Sequence, residues 1–149
     1  MQFKIQKGNS LKGEINVPGD KSISHRSIML ASLADGRSEI SGFLEGEDCL
    51  ATIEVFQRMG VNIFRHEEMF IVEGKGLKAL EGPSSPLDFK NSGTSVRLCS
   101  GVLSAQEFSS TLTGDSSLSS RPMDRITEPL RLMGASISSK DGGTLPIKI

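Results

Sequence analysis

Phe56-Gln57-Arg58-Met59-Gly60-Val61-Asn62-Ile63 and Leu130-Arg131-Leu132-Met133-Gly134-Ala135-Ser136-Ile137 write the same passage twice, 74 positions apart. In each, a helix-period run stops at Met-Gly, where glycine suits the left-handed position that closes a helix, and strand-like residues follow. Working outward, the first copy predicts a helix over Ser22–Ala34, a strand at Ser38–Phe43 and a helix over Asp48–Met59. That second helix carries Ile53, Phe56 and Met59 on one face, and strands at Val61–Arg65 and Met69–Glu73 follow. The second copy predicts a helix over Ser92–Leu103, a strand at Ser109–Thr113 and a helix over Pro122–Met133, then strands at Ser136–Ser139 and Leu145–Ile149. Met123, Ile126, Leu130 and Met133 form the apolar face of the fourth helix, and Pro129 inside it should kink or split it.

The order α-β-α-β-β therefore recurs, and the fold class is α/β, with repeat 1 at about 20–74 and repeat 2 at about 89–149. The linker is about 75–88, marked by Gly82, Pro83, Ser84, Ser85 and Pro86. Residues 1–19, with Phe3, Ile5, Ile15 and Val17, read as leading strands. Chance likeness between amphipathic helices ending in glycine is the competing explanation, but it does not account for the matching element order.

Composition narrows the classes of function. The chain has 149 residues, 36% of them hydrophobic, with 16 glycines, which is enough for one core and argues against disorder. Its 17 basic and 18 acidic residues nearly cancel, so no global field draws it to nucleic acid or to a membrane surface, and anion binding must be local. Trp and Tyr are absent, which removes the usual stacking platforms for bases. No apolar run approaches the ~18 residues that a membrane span needs. Cys49 and Cys99 lack metal-type spacing and suggest reduced thiols in a cytoplasmic protein.

Pro18-Gly19-Asp20-Lys21-Ser22-Ile23-Ser24-His25-Arg26 opens the first helix. Ser22 and Arg26 share one helix face, beside Lys21 and the unpaired N–H groups of the helix start, a combination suited to a phosphate or carboxylate. The segment is not a nucleotide P-loop, because Asp20 stands where that motif needs glycine. The alternative is a solvated helix start capped by Ser22 or Asp20. Asn91-Ser92-Gly93-Thr94-Ser95-Val96-Arg97 occupies the matching place in the second copy, where Gly93 permits close backbone approach and Ser92 or Thr94 could cap. In Gly114-Asp115-Ser116-Ser117-Leu118-Ser119-Ser120-Arg121-Pro122, Arg121 precedes a proline placed to be a first helical residue, and its guanidinium suits a two-point grip on an anion. Its alternative is a surface arginine on a serine-rich loop. His25 and His66 are isolated, Glu45, Glu47 and Asp48 suit a helix start, and no carboxylate pair calls for acid–base chemistry. A serine hydrolase is disfavoured, since no G-x-S-x-G elbow is present.

These three motifs, in this order, resemble those of the EPSP synthase family, the 3-phosphoshikimate 1-carboxyvinyltransferases. Leu112-Thr113-Gly114-Asp115 and Arg121-Pro122-Met123 complete the third, and Val96 and Leu98 follow a bacterial variant of the second. The related UDP-N-acetylglucosamine enolpyruvyl transferases typically carry Lys-Asn after the first glycine turn, whereas Lys21-Ser22 with Arg26 favours the shikimate branch.

The resemblance implies transfer of the enolpyruvyl group of phosphoenolpyruvate to the 5-hydroxyl of shikimate 3-phosphate, through a tetrahedral intermediate, with no metal or organic cofactor. It implies shikimate 3-phosphate binding by Lys21, Ser22 and Arg26, and phosphoenolpyruvate binding by Lys21, the Gly93 backbone and Arg121, with Asn91 and Thr94 shaping the loop. Lys21 is the one candidate in this chain for a catalytic part. It also implies two domains of three repeats each, helices inside and sheets outside, with the site in the cleft between them. On that pattern the chain corresponds to about the first third, without a third repeat or a second domain, and residues 1–19 would pair with the absent domain. Turnover by this chain alone is therefore not expected. The competing expectations are a non-enzymatic phosphate or carboxylate binder, and one half of a split enzyme. The latter would associate with the remainder, or with itself, through uncovered apolar helix faces.

Overall fold

The computed structural model describes residues 2–149, and its first regular element starts at the Asp20 cap. The Asp20 carboxylate accepts the Ile23 N–H at 2.7 Å and so launches α1 (Lys21–Leu33). β1 (Asp35–Ile40) follows at once, then α2 (Glu47–Arg58), which has Glu47 and Asp48 in its first turn and Arg58 in its last, the polarity that its dipole favours. Gly60, at φ 84°, closes α2, and β2 (Asn62–His66) and β3 (Met69–Lys75) form a hairpin. The second half runs β4 (Leu87–Asp88), α3 (Gly93–Leu103), β5 (Thr111–Thr113), α4 (Ser116–Ser119), α5 (Asp124–Leu132), β6 (Ser138–Lys140) and β7 (Thr144–Lys148). Gly134, at φ 101°, closes α5 as Gly60 closes α2.

The repeat is visible in sheet topology. The first sheet has the order β1-β3-β2, and the second contains β5-β7-β6, so each places its last strand in the middle, antiparallel to both neighbours. Ile63 and Ser38 both lie opposite Val72, which fixes the register of the first sheet around a buried residue. β4 adds a parallel strand to the free edge of β5. The helices pack on one another, α1 against α2 and α3, α2 against α3, and α3 against α5, with the sheets outside them. One core crosses both repeats and includes Ile28, Phe56, Met59, Val72, Leu87, Phe89, Val96, Leu112 and Ile147. Phe56 is fully buried, and burying such a ring stabilises the fold by roughly 1.5–3 kcal/mol.

The departures from the sequence reading have local causes. β1 begins at Asp35 rather than Ser38 because its whole length pairs with β3, from Asp35 opposite Lys75 to Ile40 opposite Phe70. Cross-strand pairing thus overrides the poor strand preference of Asp35 and Gly36. The fourth predicted helix starts at Asp124, not Pro122: the Met123 N–H is drawn to the Gly143 carbonyl at 2.8 Å, outside the helix. Pro129 does not split α5. Its missing N–H removes one bond, and the helix ladder resumes with Met133 N–H on the Pro129 carbonyl at 3.0 Å. The segment read as a linker contains β4, and it buries Leu80 and Leu87. Residues 2–19 form neither helix nor strand, and Phe3, Ile5, Leu11, Ile15 and Val17 stand exposed. A strand needs a hydrogen-bonded neighbour, and the described residues supply none to this segment.

Candidate functional site

The first helix mouth is held from below. Ser24 Oγ donates to the Asp20 carbonyl at 2.8 Å and accepts the Leu44 N–H at 3.0 Å, so the loop before α2 is tied to the first turn of α1. Gly19 serves close approach rather than turning, since a Cβ there would overlap the carbonyl oxygen of Gly42. With Asp20 as cap, Ser22 is released, and Lys21, Ser22 and Arg26 are all exposed at the helix start. Arg26 has no ion-pair partner among the described residues. Lys21 Nζ is paired with the Asp48 carboxylate at the start of α2.

The second mouth is built by parallel pairing. Leu87 lies opposite Leu112 and Asp88 opposite Thr113, so the segments leaving the carboxyl ends of β4 and β5 emerge side by side, the usual setting for a ligand in an α/β sheet. The Asp115 N–H donates to the Lys90 carbonyl at 2.8 Å and locks the two loops together, and Asp115 caps α4 through Leu118 N–H at 2.7 Å. Ser92 caps α3 by accepting the Ser95 N–H at 3.3 Å, which leaves Thr94 exposed and uncommitted. Arg121 returns across this loop: its Nη2 donates to Asn91 Oδ1, and to Ser117 Oγ at 3.2 Å. A Cβ on Gly93 would lie 3.0 Å from Arg121 Nη1, so glycine makes room for the guanidinium. Asn91, Gly93 and Arg121 are thus one unit, and Asn91 shapes it by holding Arg121.

His25, Thr52 and Ser95 lie beneath both mouths, all fully buried. Thr52 Oγ1 is 2.7 Å from His25 Nδ1 and 2.8 Å from Ser95 Oγ. Burial, and then the charge of Lys21, hold the His25 imidazole below its ordinary pKa against the opposing pull of Asp48, so the ring is kept neutral. Burial pushes the Cys99 thiol up to about 12 and raises that of Cys49, so neither acts as a nucleophile. An open depression of about 360 Å³ lies between α2 and Lys90, lined also by Glu47, Leu50, Ala51 and Glu54, but none of Lys21, Ser22, Arg26, Gly93 or Arg121 borders it. Among the described residues no cluster of His, Cys, Asp or Glu could hold a metal ion, and no helix is long and apolar enough to cross a membrane.

The family model of EPSP synthase (3-phosphoshikimate 1-carboxyvinyltransferase) matches residues 5–149. The chain belongs to the EPSP synthase family. It is 54% identical, over its full length, to the 3-phosphoshikimate 1-carboxyvinyltransferase of Hydrogenovibrio crunogenus, and the match covers 34% of that protein. The corresponding protein of Ruthia magnifica is 57% identical over 99% of this chain and 34% of its own. The structure of EPSP synthase from Acinetobacter baumannii superposes with a TM-score of 0.88 at 53% identity, covering 92% of this chain and 32% of that one. The chain therefore spans about a third of the length of these relatives.

The residues that the EPSP synthase motifs single out fall into two groups, Lys21, Ser22 and Arg26 at the α1 mouth and Asn91, Gly93 and Arg121 at the α3 mouth. Sequence reading missed three features. Asp48 pairs with Lys21, and the signal for it was only a carboxylate at a helix start. Ser117 is a second oxygen partner of Arg121, hidden in a serine run that forms the short α4. The third is the chain that His25 makes through Thr52 to Ser95: a structural or solvated histidine is what the sequence predicts, and His25 is the structural kind.

Proposed function

We propose that this chain supplies the substrate-anchoring face of an EPSP synthase, the enzyme that moves the enolpyruvyl group of phosphoenolpyruvate onto the 5-hydroxyl of shikimate 3-phosphate and releases phosphate. The observation that carries this reading is the pair of helix mouths joined through α2, with Lys21 and Arg26 at one and Arg121 at the other. Shikimate 3-phosphate, with a phosphate and a carboxylate, is assigned to Lys21, Ser22 and Arg26. Phosphoenolpyruvate is assigned to Lys21, the Gly93 backbone and Arg121. Two anionic reactants repel each other, and fixed cations offset that repulsion while lining up the hydroxyl oxygen with the carbon it attacks. Lys21 stands between the two anions in this assignment, and Asp48 holds its ammonium ready until substrate arrives.

The reaction also needs a base for the hydroxyl and an acid for the phosphoenolpyruvate methylene. Of the carboxylates around the two mouths, Asp20 and Asp115 cap helices, Asp48 pairs with Lys21 and Asp88 pairs with Lys90 at 3.0 Å, while Glu47 and Glu54 line the separate depression beside α2. The proton-transfer groups are thus assigned to a second wall, contributed by further sequence of the kind that the longer relatives carry. Exposed Ile23, Leu30, Leu132 and Met133 suit packing against such a remainder, or against another copy. Small anionic substrates and free cysteines suit a cytoplasmic setting.

Amide-resolved NMR tests the assignment. Shikimate 3-phosphate should shift Lys21–Arg26, and added phosphoenolpyruvate should shift Asn91–Thr94 and Arg121. A coupled phosphate-release assay on this chain should show no turnover. Shifts confined to other segments would overturn the site, and robust phosphate release would overturn the placement of the proton-transfer groups.

A further inference from the structure

Thr52 Oγ1 carries one proton and meets three partners: His25 Nδ1 at 2.7 Å, Ser95 Oγ at 2.8 Å and its own helix's Asp48 carbonyl at 3.3 Å. His25 Nε2 is buried and has no hydrogen-bond partner among the described residues. An N–H there would be an orphaned donor, which folded proteins tolerate less well than an under-used acceptor. A proton on Nδ1, with His25 donating to Thr52, leaves no such orphan. Thr52 in turn donates to the Asp48 carbonyl, and Ser95 donates to Thr52, which uses both lone pairs and the one proton of that hydroxyl.

The ends of this chain are the two mouths. His25 stands one turn below Lys21 in α1. Asp48, whose carbonyl takes the Thr52 proton, is the residue whose side chain pairs with Lys21. Ser95 is in the first turn of α3, and its own N–H is the one that the Ser92 cap receives. Apolar packing alone lets helices slide and rotate by small amounts, whereas a saturated hydroxyl shared by three helices admits one arrangement.

We infer that His25, Thr52 and Ser95 form a positioning device that sets the α1 mouth against the α3 mouth, so that the two anions bind at a fixed separation. The inference rests on the two-mouth assignment above for its ligands, but its geometric part stands without them. It makes His25 a positioning residue through its neutral imidazole, with Lys21 and Asp48 the charged groups that act on it.

Two substitutions at one position separate hydrogen bonding from packing. Thr52→Val keeps the shape and removes the hydroxyl, while Thr52→Ser keeps the hydroxyl and removes a methyl. In the unmodified chain, nitrogen NMR of the imidazole should show His25 as the Nδ1-protonated tautomer. Thr52→Val should give a mixture of tautomers and move the amide resonances of both Lys21–Arg26 and Asn91–Ser95. With shikimate 3-phosphate saturating, it should weaken phosphoenolpyruvate binding by about tenfold, the scale of one buried hydrogen bond lost with a partner left unsatisfied. Binding of shikimate 3-phosphate alone should stay within about twofold. Thr52→Ser should restore all of these. Thr52→Ser as damaging as Thr52→Val, or an Nε2-protonated ring in the unmodified chain, would overturn the inference. If the unmodified chain bound neither substrate, the functional assignment would fall, and the tautomer and ligand-free amide shifts would still decide the positioning claim.

Discussion

Single residues here have roles that their types do not announce. A Cβ added to Gly93 would lie 3.0 Å from Arg121 Nη1, tighter than an ordinary contact. Gly93→Ala should push the guanidinium aside without disturbing the backbone. We expect phosphoenolpyruvate affinity to fall by about tenfold, the weight of one charge-assisted contact, while shikimate 3-phosphate affinity holds within about twofold by calorimetry. His25 gives a pH signature. Its pKa is depressed in the folded state by burial and Lys21, so unfolding takes up a proton once pH falls below the unfolded value of about 6.5. Stability from this group is full above that pH and declines below it. Thermal melts between about pH 7.5 and about pH 5 should therefore show a steeper loss for the unmodified chain than for His25→Gln. Parallel curves would remove His25 as the cause. The position of Lys21, Ser22 and Arg26 at the start of α1, and of Gly93 at the start of α3, was legible because a polar, glycine-containing turn precedes an apolar run. Asp48 and His25 were not, because their meaning lies in contacts between segments 27 positions apart, Lys21 with Asp48 and His25 with Thr52.

At the scale of elements, the caps decide which side chains are free for a ligand. Asp20, not Ser22, closes the start of α1. Asp20→Ala should lower stability by about 1 kcal/mol in urea titrations, and Ser22→Ala should change it by less than about 0.5 kcal/mol while weakening shikimate 3-phosphate binding. The reverse ranking would make Ser22 the cap and remove it from the site. The two closing glycines differ in surroundings. Gly60 has φ 84° and a Cβ there would come 2.7 Å from the Glu81 side chain, whereas Gly134 has φ 101° and open space. Gly134→Ala should cost about 1 kcal/mol for the left-handed backbone alone, and Gly60→Ala more, both read from denaturant midpoints. Equal losses would mean that Glu81 moves away freely. The helix ends were readable because Met-Gly recurs with helix periodicity before it. The start of α5 was not, because Pro122 signals a first helical residue, while the Met123 bond to Gly143 that delays the helix comes from a distant turn. The short α4 was hidden for a related reason: its serines favour turns as much as helix, and the Asp115 cap decides.

For the whole molecule, the 74-residue repeat and the matching strand orders β1-β3-β2 and β5-β7-β6 describe one unit used twice around one core. The architecture was legible because periodicity and element order survive in the sequence. The sideways joining of the repeats was not, since it depends on β4, two residues long inside a segment that reads as linker, and on the helix contacts that β4 permits. That joining packs α1 and α3 against α2, and the proposed anion site depends on it. The central claim is that this site captures shikimate 3-phosphate through Lys21. Isothermal titration of the chain with shikimate 3-phosphate tests it most directly, alongside Lys21→Ala checked by thermal melt. The account predicts saturable one-to-one binding that Lys21→Ala weakens by roughly 10–100-fold with an unchanged melting temperature. Equal binding by Lys21→Ala, or no saturable binding by a fully folded chain, would contradict it.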